Sequence, residues 1–382
     1  MSRRFALPTT VTVLAFLFAT ACSDDEVEPQ SAPTTRTPTT TPTTAAPSTS
    51  APTSKAEPGP VVPAAFEDLA TGFDVPWGLA FLPDGSALLS ERNSARILSV
   101  SPTGQVAEVG TVAGVVPAGE GGLLGIAVLP DSPDSVYAYF TAAEDNRVVR
   151  MPYQAGALGA ADVVIEGIPK ANNHNGGRIV FGPDGMLYVG TGDAAQTARA
   201  QDLESLGGKI LRLNPDGTVP ADNPFDGSPV FSYGHRNVQG LAFDDDGNLW
   251  ASEFGQNTWD ELNLVTAGNN YGWPVVEGTF DDDRFVNPMV QWRTDEASPS
   301  GIAYVRDTVF MAALRGERLW QIPVQDGTAG SPTAFAVEEF GRLRHAAAAP
   351  DGSLWVLTSN TFRGEPREGD DRILRVTLDV QD

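Results

Sequence analysis

One hairpin pattern, repeated six times, constrains this chain more than any other feature. Its fullest copy lies in Asn172–Asp193, NNHNGGRIVFGPDGMLYVGTGD, where two apolar runs flank a Pro-Asp-Gly turn. Runs of β-forming residues joined by a tight turn of Pro, Asp and Gly read as an antiparallel hairpin. The other copies are GLAFLPDGSALLS at 78–90, GIAVLPDSPDSVYAYF at 125–140, GLAFDDDGNLWAS at 240–252, GIAYVRDTVFMAA at 301–313 and AAAAPDGSLWVLT at 346–358. Their turn aspartates, Asp84, Asp131, Asp184, Asp246, Asp307 and Asp351, recur every 44 to 62 residues. A third apolar run follows each hairpin, around Ile97, Val148, Ile210, Leu262, Leu319 and Ile373. With a fourth strand in the less regular sequence, six such units predict an all-β fold: a six-bladed β-propeller with four-stranded antiparallel blades. The two ends of the domain then meet in one blade, 66–72 beside 373–378.

The first 22 residues do not belong to that fold. Arg3 and Arg4 precede an apolar run, Val11–Ala19, that ends in Ala19-Thr20-Ala21-Cys22. This is the pattern of a secretory signal, and the run is too short for a spanning helix. Cys22 is the only cysteine of 382 residues, which excludes an intrachain disulfide. A lone cysteine after small residues at that place resembles a bacterial lipobox, so export and a lipid anchor at Cys22 on the outer face of the cell membrane are expected. Residues 23–63 begin with Asp and Glu and continue mainly in Thr, Pro, Ser and Ala, with little that is large and apolar, a composition expected to form a disordered tether. Residues 64–382 remain for the propeller. A formal net charge of −24 lacks the basic footprint of a nucleic-acid binder.

A propeller also predicts where its chemistry lies. The segments leading into the six innermost strands converge at one end of the central channel. They are Val75–Trp77, Gly119–Gly121, Asn173–Asn175, His235–Asn237, Ser298–Ser300 and Arg342–His345. Turns leaving the second strands open on the same face and add Asp193, Glu253–Gln256 and Arg315. The topology thus gathers three arginines of the lead-in segments, Arg315 and all three histidines into a cationic cup within an acidic protein, suited to a polyanion or a small polar ligand. The turn aspartates have an ordinary structural role. Arg342 and Arg344, two apart in an extended segment, project to one side and can share a ligand. Three histidines around one axis could also hold zinc, although two of them adjoin arginines that repel a metal cation.

His174–Arg178 (HNGGR), followed by Phe181–Gly185 (FGPDG) and Gly192-Asp193, resembles the signature of the soluble quinoprotein sugar dehydrogenases, the glucose/sorbosone dehydrogenase family. Further matches are GEGGLLGIAVLPD at 119–131, LGGKILRLNPDGTVPADNPF at 206–225, YGHRNVQGLAF at 233–243, GNNYGWP at 268–274 and GRLRHAAAAPDG at 341–352. The likeness spans about 66–378, and its compact loops are closest in style to the short aldose sugar dehydrogenases. It implies pyrroloquinoline quinone (PQQ) and calcium as cofactors, an aldose as substrate and an external electron acceptor. His174 matches the general base that takes the anomeric hydroxyl proton as hydride passes to the quinone; an imidazole titrates near neutrality, as that task requires. Arg236, Arg342 and Arg344 match cations around the cofactor carboxylates, and Asn237 matches a cofactor-contacting asparagine. One calcium is implied at the backbone carbonyls of Gly255 and Gln256, and a second, structural one at Glu261 and Tyr271.

The chain departs from the family pattern at five places. Glu120 replaces a cofactor-contacting glutamine, Arg315 a lysine, His345 an aspartate and Gln256 a proline, while Phe254 stands where a polar residue is usual. A carboxylate at position 120 opposes a tricarboxylate cofactor unless it is protonated or paired with an arginine. Two other functions stay open on the sequence: a metal-dependent lactonase or esterase, which needs carboxylates converging on the axis, and a non-catalytic propeller that binds carbohydrate or protein.

Overall fold

The computed structural model describes residues 59–130 and 132–381. The signal, the lipid anchor, most of the tether and Asp131 lie outside the described residues. Six antiparallel sheets form the domain, five of them with their main strands in chain order from the axis outwards and the sixth closed by the first strand. Blade 1 comprises Pro76–Phe81, Ala87–Glu91, Arg96–Val100 and Val106–Thr111. Blade 2 comprises Leu123–Leu129, Ser132–Thr141, Asn146–Gln154 and Asp162–Ile168, and blade 3 Ile179–Phe181, Leu187–Gly190, Lys209–Leu213 and Val230–Tyr233. Blade 4 comprises Val238–Phe243, Leu249–Glu253, Trp259–Val265 and Val290–Arg293. Blade 5 comprises Pro299–Tyr304, Thr308–Ala313, Arg318–Gln325 and Thr333–Phe335. Blade 6 is Leu343–Ala348, Leu354–Thr358 and Arg372–Val380, completed by the first strand of the domain, Val61–Thr71. Each innermost strand lies beside the next blade's, and 343–348 returns to 76–81, so the ring is closed.

The expected closure is present, with Phe66 opposite Val376 and Thr71 opposite Arg372. The closing strand begins at Val61, inside the stretch assigned to the tether. Val61 is fully buried in the core shared by blades 5 and 6, and its N–H donates to Thr308 Oγ1 at 3.0 Å. A buried valine with a satisfied donor belongs to the sheet, whatever the composition of the residues before it.

The core is distributed as the repeat requires. Six apolar clusters each span one pair of adjacent blades, for example Leu88 and Ile97 against Ile126 and Val136 between blades 1 and 2. Another joins Leu89 and Leu98 to Trp355 and Ile373 across the closure. No blade buries both faces alone, so each is held by its neighbours. The turn aspartates are structural: Asp84 Oδ1 accepts Ser86 N–H at 3.0 Å, and Asp351 Oδ1 accepts Ser353 N–H at 3.0 Å. In blade 4 this role falls to Asp244 rather than Asp246, because Asn248 Nδ2 and Trp250 Nε1 also hold the Asp244 carboxylate.

Candidate active site

The lead-in segments and the turns after the second strands enclose one cavity of about 240 Å3 at the end of the channel. Glu120, His174, Arg236, Asn237, Gly255, Gln256, Arg315, Arg342 and Arg344 all line it. Glu261 and Tyr271 line a smaller adjoining cavity that shares Arg236 and Gly255 with the first.

His174 is fixed at both ring nitrogens. Nδ1 lies 2.8 Å from Asp193 Oδ1, and Nε2 lies 2.9 Å from Arg236 Nη2. A guanidinium only donates, so Nε2 must carry a lone pair and Nδ1 the proton. The carboxylate therefore holds the imidazole in the one neutral tautomer that turns a basic nitrogen into the cup. Asp193 also accepts Ala195 N–H on Oδ1 and Trp273 Nε1–H on Oδ2, at 2.8 and 2.9 Å. Burial pushes its pKa up, but His174, Trp273 and Ala195 outweigh this and hold it below the ordinary carboxylate value. The local sequence explains the pairing. His174 has φ +56°, sparsely populated for a non-glycine residue, and a Cβ on Gly192 would collide with the His174 carbonyl oxygen. Glycine at 192 lets the turn carrying Asp193 close on the histidine. Asn237 Oδ1 accepts Gly176 N–H at 2.9 Å, so the predicted contact asparagine also braces the histidine loop.

The cup is short of anions. Six arginines line it, Arg92, Arg236, Arg315, Arg342, Arg344 and Arg363, against the carboxylates of Glu120 and Asp260. Among the described residues only Arg363 of the six forms a salt bridge, to Glu120 Oε1 at 2.7 Å. The carboxylate at position 120 is thus paired with an arginine, while Glu120 Oε2 accepts His174 N–H at 3.2 Å. Arg344 is 5% exposed and donates only to the neutral Gln239 Oε1 and Ser300 Oγ. Its Nε and that of Arg342 are buried without partners. Burial, then Arg342 and Arg92, pulls Arg344 down to about 9; burial, then Arg363, pulls Arg92 down to about 10. Orphaned donors and mutually repelling guanidiniums are what a site looks like when its counter-charge is a ligand.

The loop after the second strand of blade 4 forms one wall. Glu277 Oε1 gathers the N–H groups of residues 256 to 259 at 2.7–3.1 Å. Gly255 N–H donates to Asp260 Oδ1 at 2.9 Å, and burial lifts that carboxyl to about 7. Gln256 Oε1 accepts Arg236 Nε and Nη2 at 3.0 and 2.6 Å, aiming the guanidinium into the cup. The carbonyls of Gly255 and Gln256 accept no hydrogen bond among the described residues. In the adjoining cavity Glu253 lies opposite Glu261 in neighbouring strands, and Asn263 Nδ2 bridges them at 3.2 and 3.1 Å. Burial and then the neighbouring Glu253 push the Glu261 pKa up. Tyr271 donates its hydroxyl to the Leu264 carbonyl and stacks on His235.

The three histidines do not meet, which corrects one expectation. His235 is fully buried against Tyr271, with Nε2 2.8 Å from Ser232 Oγ, and His345 lies below the cup. Neighbours in an extended segment point to opposite sides, so Arg236 and Arg344 in the cup turn His235 and His345 away. No zinc cluster results: among the described residues no group of three or more His, Cys, Asp or Glu could hold a metal. Among the described residues the carboxylates lining the cup are those of Glu120 and Asp260. Sequence reading missed Arg92, Phe362 and Arg363, which line the cup, with Arg92 lying 3.6 Å over the Phe362 ring. All three follow second strands, so the rule that gave Asp193 and Arg315 reaches them in blades 1 and 6.

Comparison with known proteins agrees with this geometry. The family described as Glucose / Sorbosone dehydrogenase matches residues 73–365. The PQQ-bound structure of an aldose sugar dehydrogenase from Streptomyces coelicolor superposes with a TM-score of 0.82 at 55% identity, covering 85% of this chain and 100% of that one. An aldose sugar dehydrogenase of Escherichia coli is 29% identical over 77% of this chain and 90% of its own length. Quinoprotein glucose dehydrogenase B of Acinetobacter calcoaceticus is 34% identical over 57% of this chain and 54% of its own.

Proposed function

The chain belongs to the glucose/sorbosone dehydrogenase family, and from that premise we propose that it oxidises the anomeric hydroxyl of aldoses to lactones with PQQ and calcium. The observation that carries this reading is the cup itself: five of six arginines without a carboxylate partner beside a histidine fixed as a base. Arg342 and Arg344, with orphaned Nε–H groups, and Arg92 and Arg315 fit the carboxylates of such a cofactor. The free carbonyls of Gly255 and Gln256 suit a hard cation at the cup wall, and Glu261 with Glu253 and the Tyr271 segment suits a second one. When bound, PQQ supplies the acceptor for the hydride from C1 of the sugar, and calcium polarises it.

The protein's own groups supply the proton chemistry. His174 Nε2 accepts the anomeric hydroxyl proton as the C1 hydride leaves, and the imidazolium is stabilised by Asp193 through Nδ1. Arg236 holds Nε2 until a hydroxyl takes its place, and its guanidinium is then free for negative charge. The proton passes from Nε2 to solvent at the open mouth, leaving the tautomer as it began. The chain is further proposed to be exported and lipid-anchored at Cys22, the domain facing outwards and passing electrons to an external acceptor.

Purified protein supplemented with PQQ and calcium should reduce a dye on addition of aldoses, and neither supplement alone should suffice. Absence of PQQ binding above background would leave a non-catalytic binding propeller as the reading. For the anchor, Cys22→Ser should abolish fatty-acid labelling and release the protein; equal labelling of both forms removes the lipid assignment.

A further inference from the structure

The other end of the central channel holds a second candidate site. The carboxy-terminal halves of all six innermost strands line it, from Leu79–Phe81 in blade 1 to Ala346–Ala348 in blade 6, around about 420 Å3. The walls are apolar and include Phe81, Phe181 and Phe243. Three polar side chains line it: Tyr304, whose hydroxyl donates to Asp245, and the nearly buried Arg178 and His345, 3% and 6% exposed. Arg178 Nε donates to the Gln239 carbonyl at 2.9 Å, and its guanidinium lies 4.2 Å over Trp77. Its Nη2 has no hydrogen-bond partner, and neither has His345 Nδ1. The two orphans are neighbours across Gly301, where a Cβ would collide with His345 Nδ1 and lie 2.9 Å from Arg178 Nη2. The absence of a side chain at 301 lets the His345 ring sit against the backbone there, beside Arg178.

No carboxylate pairs with Arg178 among the described residues. Burial brings its pKa down to about 9, so it stays charged at neutral pH. Burial, then Arg178, holds the His345 pKa far below its usual value, so the neutral ring leaves that charge uncompensated. A buried cation without a counter-ion is strongly unfavourable. A cavity of this size, with mostly apolar side chains around one fixed charge, is built like a small-molecule site. We propose that this end of the channel binds an organic monocarboxylate, its head directed at the Arg178 guanidinium and its apolar body among the phenylalanines. Arg178 and His345 do not line the cup, so the proposal is independent of what fills the cup.

Calorimetry of the purified protein with benzoate and with benzyl alcohol, in low-chloride buffer, tests this. Benzoate should bind at least about tenfold more tightly, as a charge-assisted hydrogen bond is worth roughly ten- to a hundredfold. His345→Asp supplies Arg178 with an internal counter-ion and should weaken benzoate by a similar factor, while the uncharged His345→Asn should not. Circular dichroism and thermal melting identify any variant that fails to fold, in which case Arg178→Gln provides the second route to the same loss. Soaked crystals should place the anomalous peak of 4-iodobenzoate beside Phe181 and Phe243. Equal binding of acid and alcohol, no binding, undiminished affinity in folded His345→Asp, or iodine in the arginine cup alone would each overturn the assignment.

Discussion

Replacing Asp193 by Asn removes one charge and exchanges one oxygen for NH2, and the geometry dictates the consequence. Three donors converge on this carboxylate: His174 Nδ1–H and Ala195 N–H on Oδ1, and Trp273 Nε1–H on Oδ2. An amide can accept on one atom only, so in either orientation at least one buried donor faces another. If the NH2 lies towards His174, the ring must move its proton to Nε2, which then opposes the Arg236 guanidinium. If it lies towards Trp273, the indole N–H is stranded. A buried donor left unsatisfied costs about 1–3 kcal/mol. Because the folded pKa of Asp193 is depressed, its stabilising charge is present above the unfolded carboxylate value near ~3.9 and is lost as pH falls through the folded one. The variant's deficit in urea midpoint should therefore be full at pH 7 and shrink in acid. Turnover at saturating PQQ and calcium should fall roughly 10²–10⁴-fold, the range for losing a positioned base, with cofactor affinity changed only a few-fold. Unchanged turnover, or a loss of PQQ binding that accounts for the whole effect, would refute the tautomer argument.

His174→Ala should lower kcat by a similar 10²–10⁴-fold in the same assay, with little effect on a PQQ titration. Arg342→Ala and Arg344→Ala should do the reverse, each weakening PQQ by roughly ten- to a hundredfold while relieving repulsion in the apo cup. Glu120→Gln removes an anion and frees Arg363, so the same titration should show tighter PQQ binding. Deleting 59–71 strips the outer strand from blade 6 and exposes both the Arg372–Val380 edge and the apolar surface under Phe66; size-exclusion chromatography should then show aggregation rather than a smaller folded monomer.

Much of this was legible because the hairpin repeat fixes topology, and topology fixes which distant segments meet. The lead-in rule placed His174, Arg236 and Arg344 together from positions scattered over three blades. It failed for His235 and His345 because convergence of backbones says nothing about which side of an extended segment a side chain takes. The two-residue alternation that paired Arg342 with Arg344 already sends His345 elsewhere, and applying it to each lead-in separates the histidines. The Arg363–Glu120 bond was beyond sequence reading, since it joins loops of blades 6 and 2 across the cup mouth. Likewise the burial of Val61 depends on Thr308 and Phe310 of blade 5, far along the chain.

The partnership of Val61 with Val380 also sets a timetable. The first strand of the domain to be made is the last to find its place, because its neighbour is the final strand. At ordinary synthesis rates of about 5–20 residues per second, it waits on the order of tens of seconds. For most of that interval blade 6 lacks its inner strands and the ring stands open between blades 5 and 1. Five blades can stack as they appear, yet the arginines of 342–344 and 363 arrive only with the sixth. The cup, whose residues come from every blade, is therefore assembled in the same event that seals the ring, and no partly made chain displays it.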